Sequence, residues 1–438
     1  MASNTAPGTT GTDFTPSRAL EMGKSMGREH KTVVVASSAG NDCATIKDAM
    51  TSGLLSTGCA VLDAGVVPMP AATFASDASE CTIYISGTPG DPVSVLGRDG
   101  SLLRVADDRQ DRKKEGPLPD YKGVGQVRLV DDAVRRYVAK AARTHPDKID
   151  APVILDCGCG CTSACGPALL SEIGADVTTV NAHGGVPRVS SEVGKEDVTV
   201  LKSMIGRDAG SIGVAFNGDG TKLALVDEGG GFVDPEHVLA LIMLYLRPSK
   251  VVVPVNASAV VDDAFHGLIG EGVSSHPMFN GEGRKIIRSR DALASVTEAL
   301  LESGADLGML RDGTLILPRV SMCPDAVNEA AILTRMSAEN SIRNLLASFP
   351  RYAVLSDRMH YAGNREMFSR KFAEKLSAIE GADVSSIDGW RVDMESGWFS
   401  VAWNKNDREC IDMSAESRDK AYAVGMMELA KSIVRDSL

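Results

Sequence analysis

TVVVASS (32–38), CAVLDAG (59–65), PMPAATFAS (68–76) and CTIYIS (81–86) decide the fold, because of how they alternate. The first, second and fourth runs are short and apolar on both faces, as strands buried in a parallel sheet must be. A helix is expected between the first two, near 43–57. PMPAATFAS starts another, since proline is tolerated in a helix's first turn. Upstream, Thr15-Pro16-Ser17 reads as an N-cap followed by proline at the first helical position.

The theme repeats along the chain. PVILDC (152–157) reads as a strand, SACGPALLSEIG (163–174) as its crossover helix and ADVTTVN (175–181) as the next strand. SIGVAFNGDG (211–220) runs into a tight turn, with KLALVDE (222–228) as its returning partner. A third copy opens at KVVVPVN (250–256), continues as a helix over AVVDDAFHGLIG (259–270) and has its second strand around VSSHPMF (273–279). Three related α/β units of about 100 residues each fit this better than one continuous sheet. The last segment differs. YAVLSDRM (352–359) and a helix near 365–378 precede the closely spaced strands GWRVDM, WFSVAW and ECIDMS, and a helix over about 417–436 closes the chain. That is an α+β unit with an antiparallel meander. HPDKIDAP (145–152) reads as a hinge. The expected domains are 1–147, 148–246, 247–348 and 349–438.

Among 438 residues, 46 are Lys or Arg and 58 are Asp or Glu, giving a net charge of −12. That balance argues against a nucleic-acid partner, which requires clustered positive charge. No apolar run reaches the roughly 18–20 residues that span a bilayer, so no membrane association is expected. MASNTAPGTTGTD (1–13) lacks a basic segment followed by an apolar one, and a cytoplasmic location is expected. Nine cysteines suit a reducing compartment. Cys157, Cys159, Cys161 and Cys165 crowd together, and two readings stand open. They hold zinc or an iron–sulfur cluster, or they form a Gly/Cys turn after a buried strand.

The order of elements, together with VVVASS…AMTSGLLSTGCAVLDAGVVPMPAATFA (33–75), VAFNGDGTKLALVDEGGGFVDPEHVLALI (214–242) and DGWRVDMESGWFSVAW (388–403), resembles the α-D-phosphohexomutase superfamily. That superfamily includes phosphoglucomutases, phosphomannomutases and phosphoglucosamine mutases. The resemblance implies a four-domain architecture, three related α/β domains plus a C-terminal α+β domain around a central cleft. It also implies phosphoryl transfer between two sugar hydroxyls through a bisphosphorylated intermediate, carried out by four loops.

Each loop departs from the family pattern. In the phosphoserine loop (86–91), Thr88 falls where the phosphorylated serine belongs, and Pro89 takes the histidine position. Thr88 is therefore the candidate phosphoacceptor, although SGTPGDP also reads as a plain Gly/Pro turn. The metal loop (217–222) carries Asn217, Asp219 and Thr221 where the family has three aspartates, and Lys222 where it has arginine. Mg²⁺ is held through carboxylates and phosphate oxygens, so two negative charges are missing from its shell. In the sugar loop (305–309) only the family's glycine, Gly308, is retained; it and the nearby Asp306 are the candidate substrate contacts. In the phosphate loop (402–408), Asn404, Lys405 and Asn406 could grip a phosphate through amides and an ammonium, or form a solvated hairpin turn.

No Walker loop, HExxH or GxSxG offers a competing chemistry. Two functional readings follow. In one, the chain is a catalytically impaired phosphohexomutase-family protein, without a cofactor, that binds a phosphosugar or regulates. Its partner would then be a further copy of itself or an active mutase in a hetero-oligomer. In the other, it is an active, divergent phosphosugar mutase using phospho-Thr88, with Mg²⁺ on Asp219.

Overall fold

A computed structural model of the chain describes residues 5–8, 14–86, 90–103, 117–183, 187–188, 192–205, 210–274, 283–404 and 409–438. The chain divides into two compact units. One comprises Met1–Val238, Asp306–Gly308 and Asp312–Asn344; the other comprises Leu239–Ala305, Met309–Arg311 and Leu345–Leu438. No helix among the described residues is long and apolar enough to cross a membrane.

In the first unit, Thr32–Ser37 pairs parallel with both Ala60–Val66 and Cys81–Ile85. Gly90–Leu96 then returns antiparallel to Cys81–Ile85. Val33, Val35, Val61, Ile83 and Ile85 are all fully buried, as apolar two-faced strands require. The helix Pro16–Glu29 starts as its sequence indicates, with the Thr15 hydroxyl accepting the Arg18 N–H at 3.3 Å. It packs on the helix Asn41–Ser56 at backbone contact distance. A β-carbon on Gly23 would collide with the Met50 carbonyl, and one on Gly53 with the Leu20 carbonyl.

The second sheet runs in the order Phe232–Val233, Leu223–Val226, Ile212–Phe216, Pro152–Asp156, Asp176–Val180. Pro152–Asp156 is parallel to both Asp176–Val180 and Ile212–Phe216, whereas Leu223–Val226 folds back antiparallel with Phe216 opposite Leu223. The crossover helix Thr162–Glu172 follows the first of these strands after a short turn.

The helix Ala326–Glu339 lies against this crossover helix and was not legible in the sequence. Residues 326–336 are all buried, so no polar stripe marks a helical period. Its N-cap Asp325 accepts the Asn328 N–H at 2.9 Å and the Tyr137 hydroxyl at 2.6 Å. The expected hinge at 145–152 is pinned by the same helix. His145 is buried with its Nε2 3.0 Å from Asn328 Oδ1, and Arg335 donates to the Asp147 carbonyl.

In the second unit, Lys250–Pro254 precedes the helix Ala259–His266, as read. Its parallel partner is Lys285–Ser289, however, and not VSSHPMF. Residues 273–274 carry no strand, and 275–279 lie outside the described residues. Ile286 and Ile287 suit a sheet, whereas Pro277 would deny the ladder a donor.

The last sheet is antiparallel throughout, in the order Ala353–His360, Cys410–Ser417, Gly397–Trp403, Trp390–Met394, Asp383–Ser385. Phe368, Phe372, Phe399, Val401, Met413, Ala430 and Val434 form its core beneath the helices Arg365–Leu376 and Lys420–Ser437. Two buried charges tie this sheet to the segment around residue 257. Arg391 pairs with Asp393, stacks 4.4 Å over Trp398 and donates to the Val255 and Ala257 carbonyls. Glu416 accepts from the Ser258 hydroxyl and the Ala259 N–H.

Two measurements test this packing. Gly→Ala within a helix ordinarily stabilises by about 0.5–1 kcal/mol. Gly53→Ala should reverse that sign and cost about 1–3 kcal/mol in urea unfolding, because the neighbouring carbonyl cannot move away cheaply. Burial lowers the His145 pKa from 6.5 to about 4, outweighing the hydrogen bond to Asn328 that opposes it. The native state therefore keeps it neutral while the unfolded chain takes up a proton. Its contribution to stability is complete above pH 6.5 and is lost as pH falls toward 4. Unfolding of His145→Gln followed across that window should be less pH-dependent than that of the parent.

Candidate functional site

Because Pro152–Asp156 and Ile212–Phe216 are parallel, their carboxyl ends open on the same edge of the sheet, where α/β proteins place ligands. Asp156, 1% exposed, ends the first strand. Its Oδ1 accepts the Gly158 N–H at 2.9 Å and the Asn181 carboxamide at 3.0 Å. Its Oδ2 pairs with the Arg188 guanidinium at 3.0 Å. Arg188 also donates to the Phe216 carbonyl at 2.6 Å, and its backbone N–H bonds Gly158 O at 2.7 Å. One arginine thus ties together both strand ends. Cys159 (φ 53°) and Asn181 (φ 51°) adopt left-handed backbone here, unusual for residues other than glycine.

The loop after the second strand is Asn217-Gly218-Asp219-Gly220-Thr221-Lys222. Asp219 Oδ1 accepts three hydrogen bonds, from Asn217 Nδ2 (2.9 Å), the Thr221 N–H (3.1 Å) and the Thr221 hydroxyl (2.5 Å). Asn217 Nδ2 also donates to Thr221 Oγ1 at 3.1 Å. Asn217 Oδ1 accepts the Thr221 and Lys222 N–H groups, each at 3.0 Å. Burial pushes the Asp219 carboxyl up, while the bonds from Thr221 and Asn217 oppose that shift. Lys222 Nζ lies 2.6 Å from Glu192 Oε1 and 2.6 Å from Asp312 Oδ2. Burial alone would lower the Lys222 pKa; Asp312 and then Glu192 outweigh it and hold the ammonium above its ordinary value.

These residues do not fit Mg²⁺. A hard cation needs several anionic oxygens with free lone pairs. The loop offers one carboxylate, whose Oδ1 is already used three times, and an amide oxygen used twice. No group of three His, Cys, Asp or Glu among the described residues is placed to hold a metal ion. The cysteines belong to the turn. Burial pushes the Cys157 thiol up to about 12 and raises Cys161 and Cys165 as well. Cys161 Sγ instead donates to the Gly218 carbonyl at 3.2 Å, linking the two loops.

The remaining candidates are placed as follows. Thr88, Lys405 and Asn406 lie outside the described residues. Asp306 is half-buried, and Gly308 is buried within the strand Leu307–Met309. From that stretch it is Asp312 that reaches Lys222. Asn404, in the second unit, donates to Asp412 at 2.6 Å. The structure therefore gathers Asn217, Asp219, Thr221 and Lys222 and adds Asp156, Arg188, Glu192 and Asp312. A carboxylate closing a buried strand was the one available signal for Asp156; nothing local marks Arg188 or Asp312.

Residues 6–91 match the family model described as phosphoglucomutase/phosphomannomutase, alpha/beta/alpha domain I. A probable phosphoglucosamine mutase of Methanosarcina barkeri is 29% identical over 440 residues, covering 97% of this chain and 96% of that protein. The phosphoglucomutase/phosphomannomutase family protein of Burkholderia thailandensis superposes with a TM-score of 0.79 at 19% identity, covering 100% of this chain and 97% of the other. Over nearly its whole length, the chain is similar to proteins named as phosphoglucosamine mutases and phosphoglucomutase/phosphomannomutase family proteins. Its fold is that of the superfamily, three α/β domains followed by an α+β domain. A more distant member, N-acetylphosphoglucosamine mutase of Aspergillus fumigatus in complex with GlcNAc-6P and magnesium, superposes at 0.59 with 13% identity, covering 93% of this chain and 77% of that one.

Arg188→Ala would strand the buried Asp156 charge, and the expected loss is about 3–5 kcal/mol in urea unfolding. The double variant Arg188→Ala/Asp156→Ala should recover part of it, because the orphaned carboxylate is gone.

Proposed function

We propose that this protein binds a phosphosugar on a phosphohexomutase scaffold whose mutase chemistry is impaired, and that it acts as a binding or regulatory partner in the cytoplasm. One observation carries the reading. The 217–222 loop satisfies its single carboxylate with its own amide, hydroxyl and backbone donors. Phosphoryl transfer needs positive charge aimed at the migrating group. The loop's own cation, Lys222, is already shared by two carboxylates. Removing one oriented charge group from a preorganised site costs about 10²–10³ in rate.

The sugar phosphate is proposed to be of the hexosamine type, on the strength of the Methanosarcina barkeri relative's name. Lys222, Asp306, Gly308, Asn404, Lys405 and Asn406 are its proposed contacts. The proposed domains are 1–147, 148–246, 247–348 and 349–438. A second copy, or an active mutase of the same fold, is the proposed protein partner.

Full-length similarity to relatives named as mutases favours a second reading, an active divergent mutase phosphorylated on Thr88. Purified protein assayed with glucose, mannose and glucosamine phosphates separates the two. The expected outcome is calorimetric binding of a sugar phosphate with no interconversion above background, and an intact mass without a phosphoryl group. Turnover accompanied by phosphate mapped to Thr88, both lost in Thr88→Ala, would establish the second reading instead.

A further inference from the structure

We infer that the carboxamide of Asn217 takes the place of a divalent cation in the 217–222 loop, so that the loop keeps its shape without metal. The inference rests on the hydrogen-bond geometry and not on the proposed function. A cation in such a loop would draw the oxygens of residues 217, 219 and 221 together. Here a neutral donor does so, since Asn217 Nδ2 reaches Asp219 Oδ1 at 2.9 Å and Thr221 Oγ1 at 3.1 Å.

The amide orientation is settled by its surroundings. Asn217 Oδ1 faces two backbone N–H groups, those of Thr221 and Lys222. A flipped amide would set N–H against N–H on that side and leave two oxygens facing an oxygen on the other. All four hydrogen-bonding positions of the carboxamide are thereby used. Thr221 supplies the complementary part, accepting from Asn217 while donating to Asp219.

Charge explains why this combination works. Three aspartates packed together repel one another unless a cation sits among them. One carboxylate among neutral donors carries no such repulsion, and buried carboxylates with several donors are well accommodated. The backbone is anchored independently. The Met69 N–H bonds Asp219 O, the Ala326 N–H bonds Gly220 O, and Cys161 Sγ bonds Gly218 O. Gly220 itself has φ +76°, and a β-carbon there would crowd Pro68 and Thr162. The loop's own permanent positive charge is Lys222, whose N–H is fixed by the same Asn217 oxygen.

The test is thermal unfolding of the full chain in EDTA and in Mg²⁺, paired with electron paramagnetic resonance of added Mn²⁺. For the parent protein, equal melting temperatures in the two buffers and no bound Mn²⁺ at the loop are expected. In Asn217→Asp/Thr221→Asp, the melting temperature should fall in EDTA by about 2–4 °C or more and recover in Mg²⁺. A parent melting temperature raised by Mg²⁺, with Mn²⁺ binding abolished by Asp219→Asn, would overturn the inference. So would a double variant equally stable in EDTA and Mg²⁺. Should the double variant fail to fold, the parent's Mn²⁺ titration decides alone. Neither measurement uses a sugar phosphate or turnover, so failure of the proposed function leaves this result standing, whereas Mn²⁺ bound at the loop would remove the observation that carries that function.

Discussion

The parallel pairing of Pro152–Asp156 with Ile212–Phe216 is the constraint on which the candidate site depends. Strands in parallel register end on the same edge, so the turns that follow them become neighbours although distant in sequence. The Gly/Cys turn and the 217–222 loop meet there through the Cys161–Gly218 bond, and Arg188 spans both strand ends. A buried ion pair of this kind contributes little net stability against a well-packed apolar alternative. Its effect is positional, since the guanidinium fork fixes the Phe216 carbonyl and the Asp156 carboxylate in one geometry.

Within that frame the electrostatics are frugal. Carboxylates at the carboxyl edge are each matched by a specific partner: Asp156 by Arg188, Asp219 by neutral donors, Asp312 and Glu192 by Lys222. The net charge of −12 is thus no guide to the site. What distinguishes the 217–222 loop is the replacement of ionic attraction by a set of hydrogen bonds of 2.5–3.1 Å, which needs no counter-ion and tolerates burial.

Local signals in the sequence translated well where local physics decides. Thr15 caps its helix because Ser/Thr oxygen followed by proline is nearly sufficient for a helix start. The apolar runs at 33–35, 153–155 and 251–253 are buried strands, since short, largely β-branched runs apolar on both faces suit a sheet covered on both sides. The helix Ala326–Glu339 escaped because burial on all sides erases periodicity. The strand Lys285–Ser289 escaped because its half-buried pattern is weak, and a neighbouring run competed for the same role.

The sequence by itself determined the alternation of strands and helices, the antiparallel final sheet and a single carboxylate, Asp219, between the neutral residues Asn217 and Thr221. Each follows from residue type and spacing over a few neighbours. Only the tertiary structure decided that Asn217 and Thr221 close on Asp219, that Lys222 is held by Glu192 and Asp312, and that Asp156 meets Arg188. These partners come from separate loops. Their proximity is created by sheet register and helix packing, for which no single stretch of chain carries the information.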